Sequence, residues 1–269
     1  MRVLAPLGRR RVVLTGADDV GAYRVLRVAD LTGPVPQAGQ FYMLAAVVGW
    51  GAGADERPYL PRAFSFLHAG GGELSFMLED VGPGTHRLAQ LGAGDDLWLT
   101  GPLGLGFRAP HDGRRALLAG GGVGVPPLSA WARELASGGE SDGVTAVLGF
   151  RDAHHAEGAA LMAEGDVTVA TDDGSVGHHG LVTELLAAEL DRDDHAVVYA
   201  CGPPGMLEAV RALCAARDVP AQLALEAGMA CGFGACYGCV VPLAEGGYAR
   251  LCVDGPVLDA DLLDAVPAH

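Results

Sequence analysis

A chain of 269 residues is long enough for roughly two domains and for a core that needs no disulfides. Half of it is hydrophobic and 19% is charged, as in an ordered globular protein, and its 41 Gly and 16 Pro mean many tight turns without a collagen-like or disordered composition. The net charge of −15 repels phosphate backbones and anionic lipids, and all 18 basic residues are Arg, so a Schiff-base enzyme or a P-loop NTPase is excluded for want of Lys.

Taken in chain order, Arg9-Arg10-Arg11 is followed only by Val12–Leu14 before Asp18-Asp19, too short for the apolar region of an export signal. No apolar run approaches 18 residues, so the expectation is a cytoplasmic protein that binds neither membrane nor nucleic acid. Strands are predicted at Arg11–Thr15, Tyr23–Ala29, Gln40–Val48, Ala63–His68, Glu73–Glu79 and Asp95–Thr100, with a short helix after Gly84 that Thr85 can cap. Six short strands with turn-rich links predict a small antiparallel barrel over residues 1–110. After Pro110 the pattern changes. Apolar runs at Ala116–Ala119, Val144–Gly149, Val167–Ala170 and Ala196–Cys201 alternate with helical stretches at Pro126–Ser137, Leu181–Leu190 and Pro203–Arg217. That alternation predicts a parallel-sheet α/β domain over 111–224. From 225 to 269 the chain is Cys- and Gly-rich and too short to build a large core alone.

The sharpest motif is Cys231-Gly232-Phe233-Gly234-Ala235-Cys236-Tyr237-Gly238-Cys239, with Cys252 after a further twelve residues. The spacing C-x4-C-x2-C…C is that of a plant-type [2Fe–2S] cluster, and the interleaved glycines let the backbone wrap and aim amides at sulfur. Cys236-x2-Cys239 alone would equally suit a structural zinc ion or a dithiol pair. Gly120-Gly121-Gly122-Val123-Gly124, after an apolar run and before a helix, suits either a phosphate-binding turn or a plain tight turn; Val125 stands where a dinucleotide fingerprint has Gly or Ala. Cys201-Gly202-Pro203 ends the last strand, where open α/β sheets bind ligands. Arg62-Ala63-Phe64-Ser65 could serve a phosphate and a flat ring or be an ordinary strand edge, and Gly82-Pro83-Gly84-Thr85 could be a phosphate site or a cap. The pairs His154-His155 and His178-His179 lie in polar segments and read as surface rather than as metal ligands. Cys214 reads as a packed small hydrophobe and the acidic stretch Asp254–Asp264 as a solvated face.

Together these motifs resemble the ferredoxin-reductase superfamily, and the C-terminal cysteine module resembles, within it, the electron-transfer subunits of NAD-linked dihydroorotate dehydrogenases. Arg62-Ala63-Phe64-Ser65 is similar to that family's Arg-Pro-x-Ser flavin segment, with Ala63 in place of Pro. Met77, Leu78, Glu79, Gly84 and Thr85 match further FAD contacts, and Gly101-Pro102-Leu103-Gly104 matches the barrel-closing turn. Gly120, Gly121, Gly122, Val123 and Gly124 match the nucleotide loop. Thr171, Asp172, Cys201, Gly202, Pro203 and Met206 match further nucleotide-site positions, and Leu225-Glu226 through Met229 matches the approach to the cluster. A longer insert at Gly49–Pro61 departs from the pattern. The resemblance implies an FAD barrel, an NAD domain and a [2Fe–2S] module on Cys231, Cys236, Cys239 and Cys252, with Cys201 as the catalytic residue beside the reacting ring. It also implies an FMN-containing dihydroorotate-oxidising partner, in a heterotetramer of two plus two, that sends electrons through cluster and FAD to NAD⁺ in pyrimidine synthesis. A reductase subunit of a related complex, of the sulfide dehydrogenase or NAD(P)H–ferredoxin oxidoreductase type, is the nearest rival, and a zinc-stabilised binding module the more distant one.

Overall fold

The structure is a computed structural model that describes residues 8–51, 58–138, 144–162 and 164–267. Residues 52–57 of the insert at 49–61 therefore lie outside the described residues. Strict alternation starts the first half: in β1 (Arg9–Val20), Val12 and Leu14 point inward while Val13 is 46% exposed. β2 (Tyr23–Ala29), β3 (Phe41–Ala46), β4 (Arg62–Gly70), β5 (Glu73–Glu79) and, after α1 (Pro83–Ala89), β6 (Asp96–Leu103) complete the set. They close in the order β1-β2-β5-β4-β3-β6, antiparallel throughout, which leaves no open edge. Tyr42 fills the interior edge-on to Phe66 and Phe76. The Arg10 guanidinium holds Asp30 at 2.5 and 2.7 Å and the Gly101 carbonyl at 2.6 Å, tying β1 to the end of β6.

The second half follows from near-continuous apolar runs. β7 (Arg115–Gly121), α2 (Val125–Ser137), β8 (Thr145–Phe150), α3 (Ala153–Ala156), β9 (Asp166–Thr171), the two-residue β10 (His178–His179), α4 (Val182–Arg192), β11 (Ala196–Cys201), α5 (Pro204–Ala216) and β12 (Ala221–Ala224) succeed one another. Every residue of β11 is buried, as a central parallel strand covered on both faces must be. The sheet order is β10-β9-β8-β7-β11-β12-β15, the last strand being Val257–Asp259. The first strand, β7, thus has β8 on one side and β11 on the other, and the carboxyl ends of β7 and β11 meet at a switch in strand order. One core runs from barrel to sheet, through Phe107, Trp131 and Tyr199.

The cysteine-rich segment folds as the hairpin β13 (Val240–Pro242) and β14 (Tyr248–Arg250), then β15 (Val257–Asp259) returns antiparallel against β12. It is therefore bracketed by two neighbouring strands of the nucleotide sheet. β12, the hairpin and β15 are too short to register as strands by pattern, and β1 runs well past its expected end at Thr15. Among the described residues no helix is long and apolar enough to cross a membrane.

Candidate functional site

Two cavities and one cysteine loop lie along the seam between barrel and sheet. The larger cavity, about 670 Å³, opens above the carboxyl ends of β7, β8 and β11. Its walls include Gly121, Gly122 and Val123 before α2, Leu181–Thr183 at the start of α4, and Gly202–Met206 at the start of α5. The starts of α2, α4 and α5 border one space, and the partial positive charge at a helix start favours a pyrophosphate, although Pro126, Pro127 and Pro204 leave α2 and α5 with fewer amides to donate. Its volume is in the range of dinucleotide and drug-sized sites. Two glycines here have packing reasons: a Cβ on Gly124 would overlap the Cys201 carbonyl, and one on Gly121 would meet Met206 Sδ at 2.6 Å. Asp172 lines the wall, whereas the buried Thr171 hydroxyl shapes the turn beneath, donating to the Val176 carbonyl at 2.8 Å and accepting from its amide at 3.0 Å. Gly120 lies inside the sheet, where a Cβ would press on Leu148 and Leu128.

The smaller cavity, about 240 Å³, is lined from the barrel by Phe41, Ala63, Phe64, Ser65, Met77, Glu79 and Thr85. From the other side come Val123, Pro126, Cys201, the segment Ala224–Ala227, Met229 and Pro256. Leu78 alternates away into the barrel core. Arg62 lies outside the cavity over the start of α1; it donates to the Leu60 carbonyl at 2.6 Å and sits 5.9 Å from the Trp50 ring centroid. An added Cβ on Gly84 would reach Arg62 Nε at 2.5 Å, so the glycine is what lets this guanidinium lie against the helix end. The Thr85 hydroxyl accepts from the Val81 and Gly82 amides at 2.9 and 3.0 Å and serves as the cap. A cation, a helix start and an apolar slot with one hydroxyl suit a flavin nucleotide.

Cys201 is fully enclosed at the end of β11, and burial, then the Glu226 carboxylate, pushes its thiol well above the ordinary range. Glu226 itself borders both cavities; solvent reaches it through them, while enclosure by the surrounding protein raises its carboxyl. Glu79, Val81 and Val123 also border both, so the two spaces share a wall. Sequence reasoning left Tyr23, Phe41, Gly205 and Pro256 off the site, and it read Glu226 only as part of the approach to the cysteines.

The four cysteines form two pairs. Cys231 is half-buried and Cys236 exposed, whereas Cys239 and Cys252 are buried; all four are free thiols, and Cys236 acts on the Cys231 thiol as Cys239 does on that of Cys252. Burial raises the Cys231 thiol, but amides of Phe233, Cys236 and Ala235 and the Cys236 thiol bring it down to about 6. The Gly234 amide donates to Cys252 Sγ at 3.1 Å and that of Gly238 to Cys236 Sγ at 3.4 Å. Among the described residues no three His, Cys, Asp or Glu side chains are grouped for a single ion. Two thiol pairs in a cradle of amides fit a two-iron cluster better than one tetrahedral zinc. The histidine pairs point apart: His154 faces Glu157, His155 faces Asp152 and Glu79, and His178 meets Glu184 at 2.7 Å.

Comparison with known proteins bears on this arrangement. The family described as "Iron-sulfur cluster binding domain of dihydroorotate dehydrogenase B" matches residues 226–264, and "Oxidoreductase NAD-binding domain" matches 118–212. A solved NADH-dependent reduced ferredoxin-NADP oxidoreductase shares the fold with a TM-score of 0.78 at 22% identity, over 96% of this chain and 91% of that one. The dihydroorotate dehydrogenase B (NAD(+)) electron transfer subunit of Bacillus caldolyticus is 39% identical over 266 residues, 94% of this chain and 98% of the relative. That of Geobacillus kaustophilus is 39% identical over 267 residues, with the same coverage. The chain therefore belongs to the family of electron transfer subunits of dihydroorotate dehydrogenase B (NAD(+)).

Proposed function

We propose that this chain takes electrons singly from a dihydroorotate-oxidising partner at its four-cysteine site and delivers them in pairs to NAD⁺ in the larger cavity. When bound, a [2Fe–2S] cluster exchanges single electrons, nicotinamide exchanges a hydride and a flavin does both. The observation that carries the order is the shared wall. The smaller cavity meets the larger at Glu79, Val81, Val123 and Glu226, and meets the cysteine module at Met229 and Pro256. A flavin held there by Phe64, Ser65, Met77 and Thr85 would stand between the other two sites. Arg62, with Gly84, would anchor its phosphates.

In this reading the segments 1–110, 111–224 and 225–269 carry FAD, NAD and cluster in turn. Gly121, Gly122, Val123, Asp172, Gly202, Pro203 and Met206 form the nucleotide walls, while Gly120, Gly124, Thr171 and Leu78 shape them from behind. Cys201 excludes water where the two cavities adjoin: a buried neutral thiol adds bulk without charge. Glu226 holds a proton-accepting carboxyl at the same point. Cys231, Cys236, Cys239 and Cys252 would hold the cluster, and the amides of Gly234 and Gly238 would stabilise its sulfurs. The partner would be an FMN-containing catalytic subunit in a cytoplasmic two-plus-two complex serving pyrimidine synthesis. The test is anaerobic co-purification from the native source followed by assay of dihydroorotate-dependent NADH formation. The reading expects activity with a flavin-bearing partner; a flavin and iron–sulfur complex inert to dihydroorotate would overturn the partner's identity while keeping the cavities.

A further inference from the structure

Of the buried side-chain nitrogens and oxygens without a hydrogen-bond partner among the described residues, the Tyr23 hydroxyl is the one whose residue lines either cavity. Tyr23 is only 2% exposed, yet it belongs to the barrel and faces a cavity built mainly by the sheet. Leaving a buried hydroxyl unpaired costs free energy, so a ring orientation that leaves it unpaired in the cavity wall needs a reason.

The surrounding structure fixes that orientation. The β1–β2 turn docks on α3, where the Ala22 amide donates to the His154 carbonyl at 3.2 Å. Gly21, at a φ of +54°, permits the approach, since a Cβ there would overlap the same carbonyl. The Tyr23 ring then stands edge-on to His155 at 5.9 Å and occupies the space that a Cβ on Gly158 would take. Nearby charges satisfy one another: Glu79 accepts from Arg151 at 3.0 Å and meets His155 Nε2 at 3.3 Å. The phenol oxygen lies 3.7 Å from where a Cβ on Gly122 would be, beside the glycine loop that opens α2.

We propose that Tyr23 is a nucleotide-binding residue whose hydroxyl donates a hydrogen bond to the pyrophosphate of the dinucleotide held by the glycine loop. The proposal rests on reading the larger cavity as the dinucleotide site. Burial, followed by the Glu79 carboxylate, raises the phenol above its ordinary range, so it stays a donor at every working pH. A bound dinucleotide would thus be gripped by the barrel as well as by the sheet.

The experiment uses the full chain loaded with flavin and cluster, titrated with ADP-ribose and with NADH. Tyr23→Phe is expected to weaken both ligands about tenfold or more, as loss of a hydrogen bond to a charged group does. Its melting temperature without nucleotide is expected to stay level or rise, because only an unpaired hydroxyl is lost; a structural role would lower it. Unchanged affinity for ADP-ribose, whether or not NADH weakens, overturns the proposal. Gly205→Trp separates the two readings, because Gly205 lines the cavity and an added Cβ there meets nothing within 4 Å. If Gly205→Trp abolishes binding while Tyr23→Phe does not, the cavity reading stands and Tyr23 has no part in it. Full binding by Gly205→Trp overturns both.

Discussion

The two cysteine pairs share one module and differ in almost everything around them. Cys231 and Cys236 stand toward solvent, between the exposed Phe233 and Tyr237, whereas Cys239 and Cys252 are 2% exposed and packed in a cluster with Phe41, Met43, Leu103 and Leu251. The inward pair is also fixed to backbone: the Cys252 amide points to Cys239 Sγ at 3.5 Å, and the Leu251 amide donates to the Cys239 carbonyl at 3.0 Å. One pair is therefore a surface for exchange and the other part of the core. Four chemically identical side chains should fail in different ways when removed.

The largest divergence is expected between Cys252→Ser and Cys236→Ser. Both lose the visible absorbance of the cluster. The serine at 252 also buries a hydroxyl where a thiol packed, which costs ~1–3 kcal/mol, so its melting temperature should fall clearly below that of Cys236→Ser. Equal melting temperatures would contradict the inward–outward distinction. Next comes Arg62→Ala, which leaves both cysteine pairs intact. Loss of a charge-assisted phosphate contact, ~1.5–3 kcal/mol, should reduce flavin retention about tenfold or more, read as the flavin-to-protein ratio after gel filtration with cluster absorbance unchanged. A smaller effect is expected from Gly234→Ala. Its φ of +82° costs a side chain ~1–2 kcal/mol, and a Cβ would meet Val253 Cγ2 at 2.7 Å. Displacing the amide that serves Cys252 should speed cluster loss to a chelator more than Gly238→Ala does.

How much of this was legible in the sequence depends on where each signal resides. The cysteine spacing is local and chemical, so Cys231, Cys236, Cys239 and Cys252 could be named at once. The barrel was legible because Val12, Leu14, Leu26 and Val28 alternate with outward residues. The division between inward and outward pairs was not legible, because it depends on β15 returning to β12 over three residues, too few to carry a pattern. Tyr23 escaped, and Glu226 was read only on the approach to the cysteines, for a related reason: each is brought to the cavities by the docking of one half of the chain on the other. Thr85 was read both as a cap and as a flavin contact; its hydroxyl does serve the cap, accepting from the Val81 and Gly82 amides.

The faintest expected effect lies where the C-terminal segment meets α5. Hydrogen bonds from Arg211 at 2.8 Å, opposed by burial and aided by the Val266 amide at 2.8 Å, hold the Glu208 carboxyl at about 2, below its ordinary 4.5. A depressed acid contributes stability above its unfolded pKa and loses it as pH falls through the folded one. Glu208→Gln should therefore lower the melting temperature slightly at neutral pH, with the gap closing as pH falls from about 4.5 toward about 2. A gap that widens on acidification would contradict the assignment.

The most direct test of the relay uses Cys236→Ser assembled with its catalytic partner under anaerobic conditions. Flavin reduction by NADH and NADH formation from dihydroorotate are followed in the same preparation. The account predicts that NADH reduces the flavin at the wild-type rate while dihydroorotate forms no NADH, because the proposed order places the cysteine site before the flavin. Dihydroorotate-dependent NADH formation at the wild-type rate would show that electrons reach NAD⁺ without passing the four cysteines, and the proposed order would be wrong.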